Sequence, residues 1–65
     1  MNVAIDHEAQ QRTLALHDAI SHCRRAACAA GAAACGEPDA LREAVLQSVH
    51  VRLNSLLVQL QKLAG

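Results

Sequence analysis

The chain has 65 residues, six basic and six acidic side chains, a formal net charge of zero, and no Phe, Tyr or Trp. One domain is the upper limit at this length, and so small a core is marginal without a disulfide, a metal or a partner. A neutral chain without a basic stripe is not expected to bind nucleic acid or to attach to membranes through basic residues. An independent enzyme is not expected at this size.

Neither a secretory signal nor a membrane span is predicted. Charged residues and histidines interrupt the first 25 residues, unlike the apolar core of a signal peptide. No window reaches the roughly 18 apolar residues that a spanning helix requires. We therefore expect a soluble, cytoplasmic protein with no membrane contact.

The first half of the chain predicts one long helix from about residue 6, with Asp6 as a candidate N-cap, to about residue 34. Its inner positions alternate steps of four and three, which is typical of a helix that packs lengthwise on another. These positions are Ala9, Thr13, Leu16, Ile20, Cys23, Ala27, Ala30 and Ala34. Gly31 weakens the end of this helix by about 1 kcal/mol relative to Ala.

A turn is predicted at about residues 35–38. Gly36 suits the left-handed position just past a helix end, and Glu37 is biased out of the helical region by the proline that follows it. Pro38 is suited to the first turn of the next helix, where Asp39 adds a favourable charge.

The second half predicts a helix over about residues 38–63, with an inner row that also steps by three and four. This row consists of Leu46, Val49, Leu53, Leu56, Leu60 and Leu63. We therefore predict an all-α protein, an antiparallel, coiled-coil-like two-helix hairpin that forms a single domain over residues 1–65. Its predicted core consists of Leu16, Ile20, Cys23, Leu46, Val49, Leu53, Leu56 and Leu60.

Further apolar residues on the second helix lie outside that core. We interpret Val45, Val51, Leu57 and Val58 as a partner-binding surface, with Ile5 and Leu14 as additional candidates. Several aliphatic side chains at helical spacing, on a surface without charges, suggest a second contact. The hairpin is expected to bind another protein or to self-associate when free.

The cysteines and histidines favour packing or solvated roles over chemistry. Cys23, Cys28 and Cys35 are spaced by five and seven residues, unlike the usual pairs of metal ligands. Metal binding and an intermolecular redox contact are the less favoured alternatives. The four scattered histidines offer no nucleophile–base arrangement. No catalytic, cofactor-binding or metal-binding residue is predicted.

The run Ser21-His22-Cys23-Arg24-Arg25, the small-residue turn with Cys35 and Pro38, and the Leu/Gln-rich second helix carry a family resemblance. Over roughly residues 10–63 the chain resembles the small YscE/PscE-type chaperones of bacterial type III secretion. The resemblance implies a non-catalytic protein that pairs with a larger helical-repeat co-chaperone and keeps the needle subunit unpolymerised. The alternative is a homodimeric hairpin regulator or adaptor that forms a four-helix bundle. In that case Arg12, Arg24 and Arg25 are the candidates to touch RNA.

Overall fold

The computed structural model describes the backbone of residues 3–65 and the side chains of residues 7–65. This part of the chain forms two helices, α1 (Val3–Gly36) and α2 (Ala40–Ala64), and contains no strand. The two helices pack along each other in an elongated particle of 59 × 16 × 13 Å. The predicted all-α helical hairpin is confirmed.

Helix α1 is longer than predicted at both ends. It begins at Val3, so Asp6 lies inside the helix and is not its N-cap, while the side chain of Ile5 lies outside the described residues. At the other end it continues to Gly36, and no described glycine has a positive φ. The prediction of a left-handed Gly36 is therefore wrong. The alanine-rich segment before it has high helix propensity, and the helix continues through Gly31.

The connection consists of Glu37, Pro38 and Asp39, and the Asp39 side chain caps α2. Asp39 is extended (φ −85°, ψ 118°), and its Oδ1 accepts hydrogen bonds from the backbone N–H of Leu41 (2.9 Å) and Arg42 (3.1 Å). A carboxylate at this position satisfies two free donors and complements the helix dipole. The sequence analysis had placed Pro38 in the first turn of α2. In the structure Pro38 precedes the N-cap Asp39 and lies outside the helix.

The register of the hairpin is defined by two contacts between the helices. The Cys23 thiol donates to the Leu53 carbonyl (3.4 Å), and Nδ1–H of His50 donates to the Ala27 carbonyl (2.6 Å). Residue numbers that face each other therefore add up to about 77 throughout the pair. The part of α1 before Thr13 extends past the end of α2. Leu14 lies at the level of the last turn of α2 and is also exposed.

The helix–helix seam is made of half-buried side chains and two buried alanines, Ala27 and Ala34. On α1 its members are Leu16, Ile20, Cys23, Ala27, Ala30, Gly31 and Ala34, and on α2 they are Leu46, His50, Leu53, Leu57 and Leu60. Six of the eight predicted core residues lie in the seam. The other two, Val49 and Leu56, are 40% and 50% exposed.

His50 explains why α2 turns Leu57 inward in place of Leu56. Two rows of α2 residues could face α1, and both contain Leu46, Leu53 and Leu60. The predicted row adds Val49 and Leu56, whereas the observed row adds His50 and Leu57. The His50 ring lies over Gly31, where a Cβ would come within 2.9 Å of ring atom Cε1. Its Nδ1–H reaches the Ala27 carbonyl, and Nε2 lies 3.2 Å from the Asn54 amide nitrogen. A histidine with both ring nitrogens paired is thus tolerated in the seam.

Candidate protein-interaction surface

The hairpin buries little and leaves large aliphatic side chains in contact with solvent. Among the side chains of residues 7–65, only Ala27 and Ala34 are buried. Eight large aliphatic residues in that range are at least 40% exposed, namely Leu14, Leu41, Val45, Val49, Val51, Leu56, Val58 and Leu63. Seven of these eight belong to α2. The exposed apolar surface is therefore concentrated on one helix.

Five of these residues form a row along one flank of α2, which we call the aliphatic row. Its members are Leu41, Val45, Val49, Leu56 and Leu63. At 3.6 residues per turn they lie about 90° from the direction in which α2 faces α1. An open apolar depression lined by Leu41, Arg42, Val45 and Leu46 marks the end of the row nearest the turn.

Helix α1 contributes small side chains to the same broad face of the hairpin. We call these residues the alanine row: Ala15, Ala19, Ala26 and Ala33, all of which are exposed. They too lie about 90° from the seam, on the side that adjoins the aliphatic row in an antiparallel pair. The two rows together form a broad face that is mostly apolar and is interrupted by His22 of α1 and by Arg52 of α2, which lies two turns after Val45.

The opposite broad face carries a smaller apolar feature, which we call the valine pair, Val51 and Val58. The two side chains lie two turns apart and are 64% and 49% exposed. Their neighbours toward the seam are the exposed polar residues Gln47, Asn54 and Gln61. An apolar centre beside polar side chains resembles the arrangement of a non-obligate protein interface.

The structure divides the four predicted partner-binding residues among three places. Val51 and Val58 form the valine pair, and Val45 lies on the other face in the aliphatic row. Leu57 is half-buried in the seam, because it lies two turns after His50 on the side of α2 that faces α1. The four residues therefore do not form one continuous surface.

The accessible area gives a measure of how incomplete the hairpin is. The chain exposes 5033 Å², whereas a compact monomer of 6.9 kDa exposes about 4,000 Å². Part of the difference belongs to the end of α1 that extends past α2. The whole difference, about 1,000 Å², is thus an upper limit on the area left for a partner, and a standard interface buries about 800 Å² on each side.

The cysteines and histidines do not converge on one point. The three thiols are free, with Cys23 half-buried in the seam and Cys28 and Cys35 exposed. No group of three or more His, Cys, Asp or Glu side chains within the described residues is placed to hold a metal ion. His50 is the one histidine that lies in the seam, and the sequence carried no signal for it, because its place over Gly31 depends on the register of the two helices.

Comparisons with known proteins add no relative. No family model matches the chain, and neither does any curated protein or solved structure. Over the described residues, neither helix has the length and apolar character needed to cross a membrane. The functional interpretation therefore rests on the residues and their geometry.

Proposed function

We propose that the chain is a non-catalytic accessory chaperone, of the kind its resemblance to the YscE/PscE-type proteins implies. It acts in the bacterial cytoplasm, where it pairs with a larger helical-repeat co-chaperone and helps to keep a needle subunit unpolymerised. The observation that carries the proposal is the exposed aliphatic surface of α2. A hairpin with so little core gains stability by packing against helices of another protein.

The valine pair is the surface that we assign to the co-chaperone. Val51 and Val58 lie at the centre of the α2 surface that faces away from the alanine row, and polar side chains border them on both sides. A partner helix that lies along α2 would bury both valines and leave Gln47 and Asn54 at the rim. Helix-in-groove recognition commonly uses anchors at this spacing.

The experiment is affinity purification of the tagged full chain from its own cytosol, followed by mass spectrometry of the co-eluting proteins. We expect a helical-repeat protein together with a small helical secreted subunit. Recovery of the chain with no such pair, or with RNA, would contradict the chaperone function.

A pair of variants tests the interface within the same experiment. Val51→Asp with Val58→Asp places two charges in the contact and should abolish co-elution. The matched control is Val49→Asp with Leu56→Asp, which has the same spacing, helix and added charge at exposed aliphatic positions on the opposite broad face. The control should retain the partner. Equal retention by both double variants would exclude the valine pair as the contact.

A further inference from the structure

The broad face opposite the valine pair carries the larger uncovered apolar area, and the proposed function does not use it. Large side chains of the aliphatic row lie along it on α2, and small side chains of the alanine row lie along it on α1. The strip between the two helices, which we call the flank groove, is formed by Val49 and Leu56 of α2 and by Ala19, Ala26 and Ala30 of α1. We infer that the flank groove binds an acidic amphipathic helix of another protein, which completes a three-helix bundle.

The directions of the groove residues fit one additional helix. When three helices pack at equal interaxial distances, the direction from each helix to the third lies about 60° from the direction to the second. At 3.6 residues per turn, the five residues of the flank groove lie about 50–90° from the seam on their own helices. One helix that runs along the hairpin would therefore contact α1 and α2 at once. A flat surface would instead meet side chains that lie farther from the seam.

The sizes of the side chains favour a partner helix with large apolar residues of its own. Val49 and Leu56 are 40% and 50% exposed and form one wall of the groove. The α1 side is alanine, which lets a partner helix approach closely. Large aliphatic side chains of the partner would fill the space above α1. The open apolar depression beside Val45 continues the groove toward the turn.

The charges beside the groove indicate the sign of the partner. Arg52 and His22 lie on its two borders, about 120–130° from the seam on their own helices, and both are exposed. They lie at the same level, because the thiol of Cys23, next to His22, donates to the carbonyl of Leu53, next to Arg52, at 3.4 Å. A helix in the groove would therefore pass between a guanidinium and an imidazole.

No carboxylate of the described residues compensates Arg52. Over residues 7–65 the structure shows one ion pair, which joins Arg42 to Glu37 at 3.3 Å. The other acidic residues of this range lie past the end of α2, on the far side of α1, at the cap of α2 and on the valine-pair side of α2. They are Glu8, Asp18, Asp39 and Glu43.

Covering the groove would remove part of the water around Arg52, which costs free energy unless a carboxylate of the partner lies beside the guanidinium. A basic helix would be repelled at the same place. Helix α2 of a second copy would bring its own Arg52 and no carboxylate to the groove. The charge pattern therefore favours an acidic helix of a different protein.

Fluorescence anisotropy with two labelled model peptides tests the inference. Both peptides are helices of about three heptads with leucine at the a and d positions. One carries glutamate at the e and g positions and the other carries lysine, so that like charges oppose the pairing of each peptide with itself. The purified full chain should bind the glutamate peptide about tenfold more tightly than the lysine peptide at low salt, and added salt should reduce the difference.

Charge reversal at position 52 should reverse the preference between the peptides. Arg52→Glu should bind the lysine peptide more tightly than the glutamate peptide. The matched control is Arg25→Glu, which makes the same change in net charge at an exposed position on the side of α1 that faces away from α2. The control should still prefer the glutamate peptide.

Substitutions in the groove locate the contact. Val49→Asp with Leu56→Asp should weaken binding of the glutamate peptide by about a hundredfold or more, whereas Val51→Asp with Val58→Asp, on the opposite face, should leave it unchanged. Val49→Ala with Leu56→Ala keeps the test decisive if the aspartates unfold the hairpin, because Ala favours the helix. The alanine variant should weaken binding by about tenfold.

Equal affinity for the two peptides, or binding of neither, would overturn the inference. Binding to phosphatidylglycerol vesicles without binding of the glutamate peptide would assign the face to a membrane. A dimer of the full chain in sedimentation equilibrium that dissociates in the Val49/Leu56 variants and excludes the peptide would assign it to a second copy. Each of these results would overturn the inference, and none would affect the co-chaperone contact, which lies on the opposite face.

Discussion

The packing of His50 over Gly31 predicts that alanine at position 31 destabilises the hairpin, although alanine is the better helix former. A Cβ on Gly31 would lie 2.9 Å from His50 Cε1, 3.0 Å from Nδ1 and 3.4 Å from Nε2. The ring cannot move aside without lengthening its 2.6 Å hydrogen bond to the Ala27 carbonyl. The substitution therefore sets a gain in propensity against a clash and a lost bond.

The magnitudes favour the clash. Overpacking in a filled site costs about 1–3 kcal/mol, and loss of the hydrogen bond costs about 1 kcal/mol. The gain from replacing glycine in a helix is about 1 kcal/mol. Gly31→Ala should thus lower the free energy of unfolding by about 1–3 kcal/mol. In a His50→Ala background the clash is absent, and the same change should stabilise the chain.

The assay is urea unfolding followed by circular dichroism in the far ultraviolet, at one fixed protein concentration, for the four members of the double-mutant cycle. The coupling between positions 31 and 50, which is the sum of the clash and the lost hydrogen bond, should be about 2–4 kcal/mol. Gly36→Ala serves as the control, because a Cβ there meets nothing within 4 Å and the φ of Gly36 is not positive. A stabilising Gly31→Ala of equal size in both backgrounds would refute the assigned seam.

Three further predictions concern the turn and the thiols. Asp39→Ala should lower the free energy of unfolding by about 1 kcal/mol. Asp39→Asn should retain most of the stability, because the asparagine side-chain oxygen can also cap α2. Equal losses of stability for the two variants in thermal unfolding would exclude the cap. Arg42→Ala should change stability by less than about 1 kcal/mol, since its ion pair with Glu37 involves a largely exposed arginine, and a larger loss in the same assay would count against this. In a timed thiol-labelling assay Cys28 and Cys35 should react fast and Cys23 more slowly, because only Cys23 lies in the seam; three equal rates would mean that the seam opens readily.

The alternation of three- and four-residue steps was enough to predict two helices and most of the seam, and Gly36 and Pro38 indicated the turn between them. It could not determine which side of α2 faces α1. The row that contains Val49 and Leu56 and the row that contains His50 and Leu57 share the same three leucines. Hydrophobicity favours the first row. The choice depends on the hollow above Gly31 and on the hydrogen bond from His50 to Ala27, which are visible only in three dimensions.

The candidate surface was predictable only in part, because the side of α2 that faces α1 was not known. Surplus aliphatic residues on α2 were evident from composition and spacing, and Val51 and Val58 are indeed exposed. Once Val49 and Leu56 had been placed in the seam, however, the aliphatic row could not be seen as a continuous surface. Which protein covers the valine pair stays a prediction.

Which residues of α2 face α1, and therefore which stay uncovered for a partner, is tested most directly by nuclear Overhauser spectroscopy on the labelled full chain. The His50 ring lies over Gly31, where a Cβ would come within 2.9 Å of ring atom Cε1. We expect a strong cross-peak between the ring proton on Cε1 of His50 and the Hα protons of Gly31. Absence of this cross-peak, with cross-peaks from the Val49 methyl groups to Gly31 in its place, would contradict the assigned seam and the surfaces derived from it.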